Sequence, residues 1–173
     1  MKTKANFKLD YKNLEKGKHS FIYEINKSFF DLFDFSEIKN GNIIVKVDIE
    51  YQSIITANIN ISGTVNVPCD VCLENFDLEI NKDVTLFFKF TENELNEEDD
   101  VIYVSDSDDF IELSKHFYDY IVLSLPIKKV HPLDKNGERT CNPKIIEQLN
   151  NYSQKQTLNN NPEWEKLKKI YNN

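Results

Sequence analysis

Glycine is scarce in this chain. There are four, Gly17, Gly41, Gly63 and Gly137, each far from the next. Phosphate-cradling loops need several glycines within about six residues, so that backbone N–H groups can approach the anion. A dinucleotide fingerprint and a P-loop are therefore excluded, and no nucleotide cofactor is expected. Long apolar runs are also missing: mean hydropathy is −0.53, and no run approaches the roughly 18 residues of a membrane span, so no membrane association is expected. Residues 1–7 hold lysines with no apolar stretch behind them, which is not the pattern of a secretory signal. Three cysteines cannot all pair within one chain, so reduced thiols and a cytoplasmic location are expected. Arginine is nearly absent. With Arg139 alone, the guanidinium forks that read bases best are missing, and any RNA contact should be weak, salt-sensitive and local. No serine sits in a glycine-flanked elbow and there are three histidines, so a hydrolase triad has no signature and no catalytic residue is expected.

What is present suffices for a folded domain. The 173 residues are 40% hydrophobic and 12% aromatic, which supports a buried core and a single α+β domain over residues 1–153. The formal net charge of −8 comes from 21 Lys+Arg against 29 Asp+Glu. Nine of those acids, from Glu92 to Asp109, stand together without a lysine or arginine, while the rest of the chain holds 20 acids against 21 bases. The protein reads as a nearly neutral body with an acidic loop at 91–109. Such a run is commonly a solvated loop, and alternatively a decoy for a basic partner. A two-metal carboxylate site would need rigid elements that the run does not offer.

Period-two alternation is the clearest pattern. Ile43, Val45, Val47, Ile49 and Tyr51 alternate with Ile44, Lys46, Asp48 and Glu50. Ile55, Ala57, Ile59, Ile61, Val65 and Val67 alternate with polar neighbours, and Phe76, Leu78, Ile80, Val84, Leu86, Phe88 and Phe90 form a third series. These predict an antiparallel β-sheet meander with one buried face, sandwich- or barrel-like. Weaker strands are expected at 7–11, 19–25 and 101–104, with a short helix or turn over 27–35. Asp109 followed by Glu112 reads as a capping box that opens a helix ending near 125. Its Leu113, Phe117, Ile121 and Leu125 would cover the sheet. Pro126 stops that helix, residues 127–142 are aperiodic, and Pro143 fits the first position of a helix reaching about Tyr152. A polar linker over 154–161 and a terminal amphipathic helix over 162–173, with Trp164, Leu167, Ile170 and Tyr171 on one face, complete the chain. His19 and His116 read as ordinary surface or half-buried histidines.

One constellation carries chemistry. Cys69 and Cys72 fall between the second and third long strands, just after Pro68. Two thiols three apart at a hairpin tip can point both sulfurs at one ion, as in zinc ribbons. A redox pair would want a helix N-terminus to lower the thiol pKa, and strands flank this one. His131 and Cys141, in the aperiodic stretch, are further candidate ligands. Joining residues some seventy apart costs at most about 4 kcal/mol of loop entropy, against about 10–16 kcal/mol returned by structural zinc. Two readings stand at this point: a closed Cys3His structural zinc site on Cys69, Cys72, His131 and Cys141, or a metal-free site with the thiols packed as small apolar residues.

The order of landmarks resembles a known family. Cys69-Asp70-Val71-Cys72-Leu73-Glu74-Asn75-Phe76 is similar to the C-x-R-C-L-x-x-F signature of the YceD-like family, the large ribosomal RNA subunit accumulation proteins. The run from Tyr120 through Leu125-Pro126-Ile127 to His131, followed by Cys141, resembles its second landmark, and Asn161-Pro162-Glu163-Trp164 its third. The family often has arginine between the cysteines, where this chain has Val71. The resemblance implies a cytoplasmic bacterial protein needed for 23S rRNA synthesis, processing or stability, with a large-subunit ribosomal protein and/or pre-23S rRNA as partner. It implies no chemical activity. The expected function is thus a non-enzymatic factor in large-subunit biogenesis. A zinc-dependent RNA-processing enzyme is the alternative, and a stoichiometric ribosomal subunit a third class.

Overall fold

A computed structural model describes residues 2–3, 7–34, 36–91, 101–105 and 107–157. Contacts divide the chain into two compact units, one of Met1–Val67 with Asn75–Lys129, the other of Pro68–Glu74 with Val130–Asn173.

The first unit is a six-stranded sheet. Its strands are β1 (Lys2–Thr3), β3 (Gly17–Ile25), β4 (Asn40–Tyr51), β5 (Ile55–Pro68), β6 (Asn75–Thr91) and β7 (Val101–Ser105), in the order β1-β3-β4-β5-β6-β7. A short antiparallel pair, β2 (Lys8–Leu9) with β8 (Ile111–Glu112), stands apart from it. The alternating runs become the long central strands. Val45 pairs with Ile61, Val47 with Ile59 and Ile49 with Ala57, and all six are buried. Between β5 and β6, side-chain hydrogen bonds join Asn58 to Thr85, Asn60 to Asp83 and Asn66 to Asp77. Their opposed order makes that pair antiparallel and turns a polar face outward. Period two therefore sorts the sheet into an apolar side and a hydrated side.

Gly63 shows why β5 keeps its register. It lies opposite Ile43 on the buried side, at φ +151, where an added Cβ would stand 2.2 Å from the Asn42 carbonyl oxygen. Only a residue without a side chain permits that approach.

The sheet is open. β1 joins β3 and β7 joins β6 in parallel, and both stand at the edges. A closed barrel would require those edges to bond each other, so the barrel-like form of the expectation gives way to an open, mostly antiparallel sheet. Its apolar face is covered by α1 (Lys27–Phe30) and α2 (Ser114–Leu123). Leu113, Phe117 and Ile121 are fully buried, and the Phe117 ring lies 5.2 Å from that of Tyr23. The capping box does not form. Ile111 and Glu112 are strand residues paired with Leu9 and Lys8, so the helix starts only at Ser114, after Leu113, which makes no side-chain cap. Asp109 is engaged elsewhere, in a 2.9 Å ion pair with Lys12. A tertiary strand pairing here outcompetes a local capping preference. Of the acidic stretch, 92–100 and 106 lie outside the described residues.

The second unit holds the tip Pro68–Glu74, an irregular segment and α3 (Pro143–Thr157). Pro143 opens the helix, and the Asn142 side chain accepts from the Lys144 N–H at 3.0 Å, which satisfies an orphan donor of the first turn. The helix continues past Tyr152 to Thr157, so positions 154–157 of the polar stretch are helical. The expected terminal helix over 162–173 lies outside the described residues.

Candidate metal centre

Cys69 and Cys72 are brought together by a tight reversal. The Leu73 N–H donates to the Cys69 carbonyl at 2.9 Å, and the Cys69 N–H donates to the Glu74 carbonyl at 3.0 Å. Inside the turn the Val71 N–H points at the Cys69 sulfur, 3.4 Å away. Such N–H groups stabilise thiolate over thiol. His131 and Cys141 meet by a second device. Asp134 accepts from the backbone N–H groups of Asn136 and Glu138 at 2.8 and 2.9 Å, Gly137 takes φ +82, and Leu133 bridges Arg139 in antiparallel fashion. This small hairpin returns the chain so that residues 131 and 141 stand side by side. Its signal, Asp134-Lys135-Asn136-Gly137, is a turn composition that the aperiodic reading of 127–142 passed over.

All four side chains converge. One ligand atom each from Cys69, Cys72, His131 and Cys141 lies within 4.8 Å of the others. The Cys69 and Cys141 sulfurs are 3.8 Å apart, and His131 Nδ1 is 3.4 Å from the Cys72 sulfur and 3.7 Å from the Cys141 sulfur. Tetrahedral zinc, with Zn–S of about 2.3 Å and Zn–N of about 2.0–2.1 Å, sets sulfur–sulfur separations at about 3.8 Å and sulfur–nitrogen separations at about 3.6 Å. A disulfide would need about 2.05 Å, and all three thiols are free. The other histidines take no part: His19 Nε2 lies 2.7 Å from the Glu15 carbonyl oxygen, and the His116 ring stands 6.2 Å from that of Phe88.

The electrostatics point the same way. Burial works to raise the Cys69 thiol, but the N–H groups of Cys72 and Val71 and the His131 imidazole outweigh it, and the thiol is lowered from 9.0 to about 6. Burial, then the neighbouring Cys69 and Cys72 sulfurs, push Cys141 up to about 11. Without a metal the cluster thus favours a thiolate at Cys69 and resists one at Cys141. A divalent cation removes that resistance, because it deprotonates the thiols that bind it.

Burial completes the picture. Among the described residues of this unit, only Cys69, Cys72 and Cys141 are buried. Val71, Val130, Ile145 and Ile146 are half-buried, and no isoleucine, leucine, valine or aromatic among the described residues of the unit is buried with the thiols. The donor set fits zinc, which those four residues would hold in a closed shell.

None of the described helices is long and apolar enough to cross a membrane. Comparison with the curated proteins gives no match, and comparison with the solved structures gives none. A family model does match, over residues 57–171, a span containing most of β5, the cysteine tip, α2 and all four converging side chains. With more than half of its length covered in this way, the chain belongs to the family described as large ribosomal RNA subunit accumulation protein YceD.

Proposed function

We propose that the chain is a non-enzymatic, cytoplasmic factor in biogenesis of the large ribosomal subunit. It supports 23S rRNA synthesis, processing or stability by binding a large-subunit ribosomal protein or pre-23S rRNA. The Cys69, Cys72, His131 and Cys141 cluster is its structural zinc clasp. The observation that carries this reading is the burial pattern of the second unit, whose described buried side chains are the three thiols alone. Described residues that bury so little apolar surface gain from another source of folding free energy, and a structural metal is the usual one for such small units. Three sulfurs and one imidazole fill a tetrahedral shell and leave no position for a reactive water, whereas catalytic zinc keeps one open. The family description supports the ribosomal assignment and names accumulation, not a reaction.

Metal analysis of the purified chain should return one zinc per chain. Cobalt should give tetrahedral ligand-field and thiolate charge-transfer bands that Cys72→Ser weakens. Because Cys141 holds its proton up to about 11 in the metal-free cluster, zinc uptake at pH 7 should release protons, and affinity should fall on acidification. Deleting the gene should lower 23S relative to 16S rRNA, with restoration by the wild-type chain and not by Cys72→Ser. An unchanged ratio would refute the ribosomal role. If the zinc-loaded chain cleaved or modified a pre-23S transcript, and His131→Ala stopped this without unfolding, the non-enzymatic reading would be wrong.

A further inference from the structure

Metal binding does not account for Leu73. It is the one non-glycine among the described residues with positive φ, at 63, a region where a leucine Cβ is crowded and glycine is at ease. The reversal after Cys72 demands that conformation, because it delivers the Leu73 N–H to the Cys69 carbonyl. The side chain gains nothing from packing in return, since Leu73 is 79% exposed. Glycine would serve the turn better and expose no apolar surface. The buried Cys72 beside it and the two backbone hydrogen bonds of the tip fix the backbone from which the leucine projects. On the other arm of the cluster Leu133, two residues beyond His131, is 61% exposed. Both arms of the clasp thus present a leucine to solvent.

The chemistry of the tip selects the class of partner. Pro68–Glu74 contains Asp70 and Glu74, both exposed, and no basic residue, while the Leu133 arm balances Asp134 and Glu138 against Lys135 and Arg139; Glu74 also accepts from the Asn142 side-chain amide at 2.7 Å. Carboxylates repel phosphates, and leucine offers neither a hydrogen bond to a base edge nor a flat face for a base to stack on. An apolar socket rimmed by lysine and arginine on a protein answers both features, with the leucine as the desolvated centre and the carboxylates as the charged rim.

We propose that Leu73 is a rigid anchor through which the zinc-clasped tip docks into an apolar socket on a basic protein of the large ribosomal subunit. The inference rests on the functional reading above and selects protein over RNA as the direct partner. The test uses the full zinc-loaded chain, with two kinds of probe: the basic proteins of the large subunit, purified singly and freed of RNA, and a protein-free 23S transcript. The wild-type chain should bind at least one of the proteins. Leu73→Gly should weaken that binding about tenfold or more, as expected for a lost buried leucine, while Leu73→Met holds it within about threefold. Zinc content should stay unchanged and the melting temperature of Leu73→Gly should not fall, which separates a docking role from a folding role. Equal protein binding by wild type and Leu73→Gly overturns the anchor alone and leaves the functional reading standing. Binding of the transcript in place of any protein overturns the choice of partner. Binding of neither probe overturns the anchor and the functional reading together.

Discussion

The sheet unit and the cysteine unit of this protein bury different kinds of side chain. In the sheet unit, side chains of β3, β4, β5, β6, α1 and α2 form the core: Tyr23, Phe29, Phe88 and Phe117 are fully buried, alongside the Ile and Val columns of the central strands. Each such side chain contributes roughly 1.5–3 kcal/mol on leaving water, so stability there is spread over many residues and no single one is indispensable. In the cysteine unit the described buried residues are three thiols, which on the proposed reading act through one shared ion. Distributed burial tolerates single losses; a four-ligand clasp does not. On the proposed reading the sheet supports, and the clasp holds the tip and the segment before α3 in one shape.

The comparison is most exposed to chelation. Removing the metal should withdraw stabilisation on the order of 10 kcal/mol from the cysteine unit. Hydrogen exchange should then lose protection over 68–74 and 130–157 while β4 and β5 keep theirs. Simultaneous loss in both units, or no loss at all, breaks the distinction. The converse experiment is smaller. Phe117→Ala should cost about 3–5 kcal/mol in denaturant unfolding of the sheet unit and leave zinc affinity unchanged; a parallel loss of zinc would mean the clasp depends on the core.

Tyr23 offers the finest probe of the sheet interior. Its hydroxyl is buried without a hydrogen-bond partner, and burial raises its pKa from 10.0 to about 12. The folded state therefore holds the phenolic proton more tightly than the unfolded chain does. This contribution to stability is fully present below pH 10 and is lost as the pH rises toward 12. Tyr23→Phe should flatten that alkaline decline in melting curves. At neutral pH it should stabilise the sheet by about 1 kcal/mol, because an unpaired buried hydroxyl is removed. A destabilised Tyr23→Phe would show that the hydroxyl is bonded in solution.

Legibility in the sequence followed the range of the interactions. The three long strands were readable from Ile43 through Phe90 because burial on one side of a pleated strand imposes alternation residue by residue. α2 was readable as a helix but not at its start: Asp109 and Glu112 satisfy the capping spacing, and only the pairing of Ile111 and Glu112 with β2 decides against it. The extension of α3 to Thr157 through a polar, glutamine-rich stretch left no apolar pattern to read. Cys69 and Cys72 were visible as a pair from spacing alone. His131 and Cys141 were visible only as candidates, since their approach depends on the Asp134–Gly137 turn and on the two segments of the unit meeting. Leu73 was visible as the leucine of the signature, but its left-handed backbone and exposure were not, because they follow from the reversal around it.

The amino-acid order by itself determined the period-two strands, the scarcity of glycine that excludes phosphate loops, and the chemical identity of the four candidate ligands, because these are properties of neighbours along the chain. The tertiary structure alone decided that the sheet stays open, that β8 replaces the first turn of a helix, and that sulfurs and an imidazole from positions 69 to 141 stand within 4.8 Å of one another. Those outcomes depend on groups far apart in sequence competing for the same hydrogen bonds and the same space, and that competition is resolved only when the chain is folded.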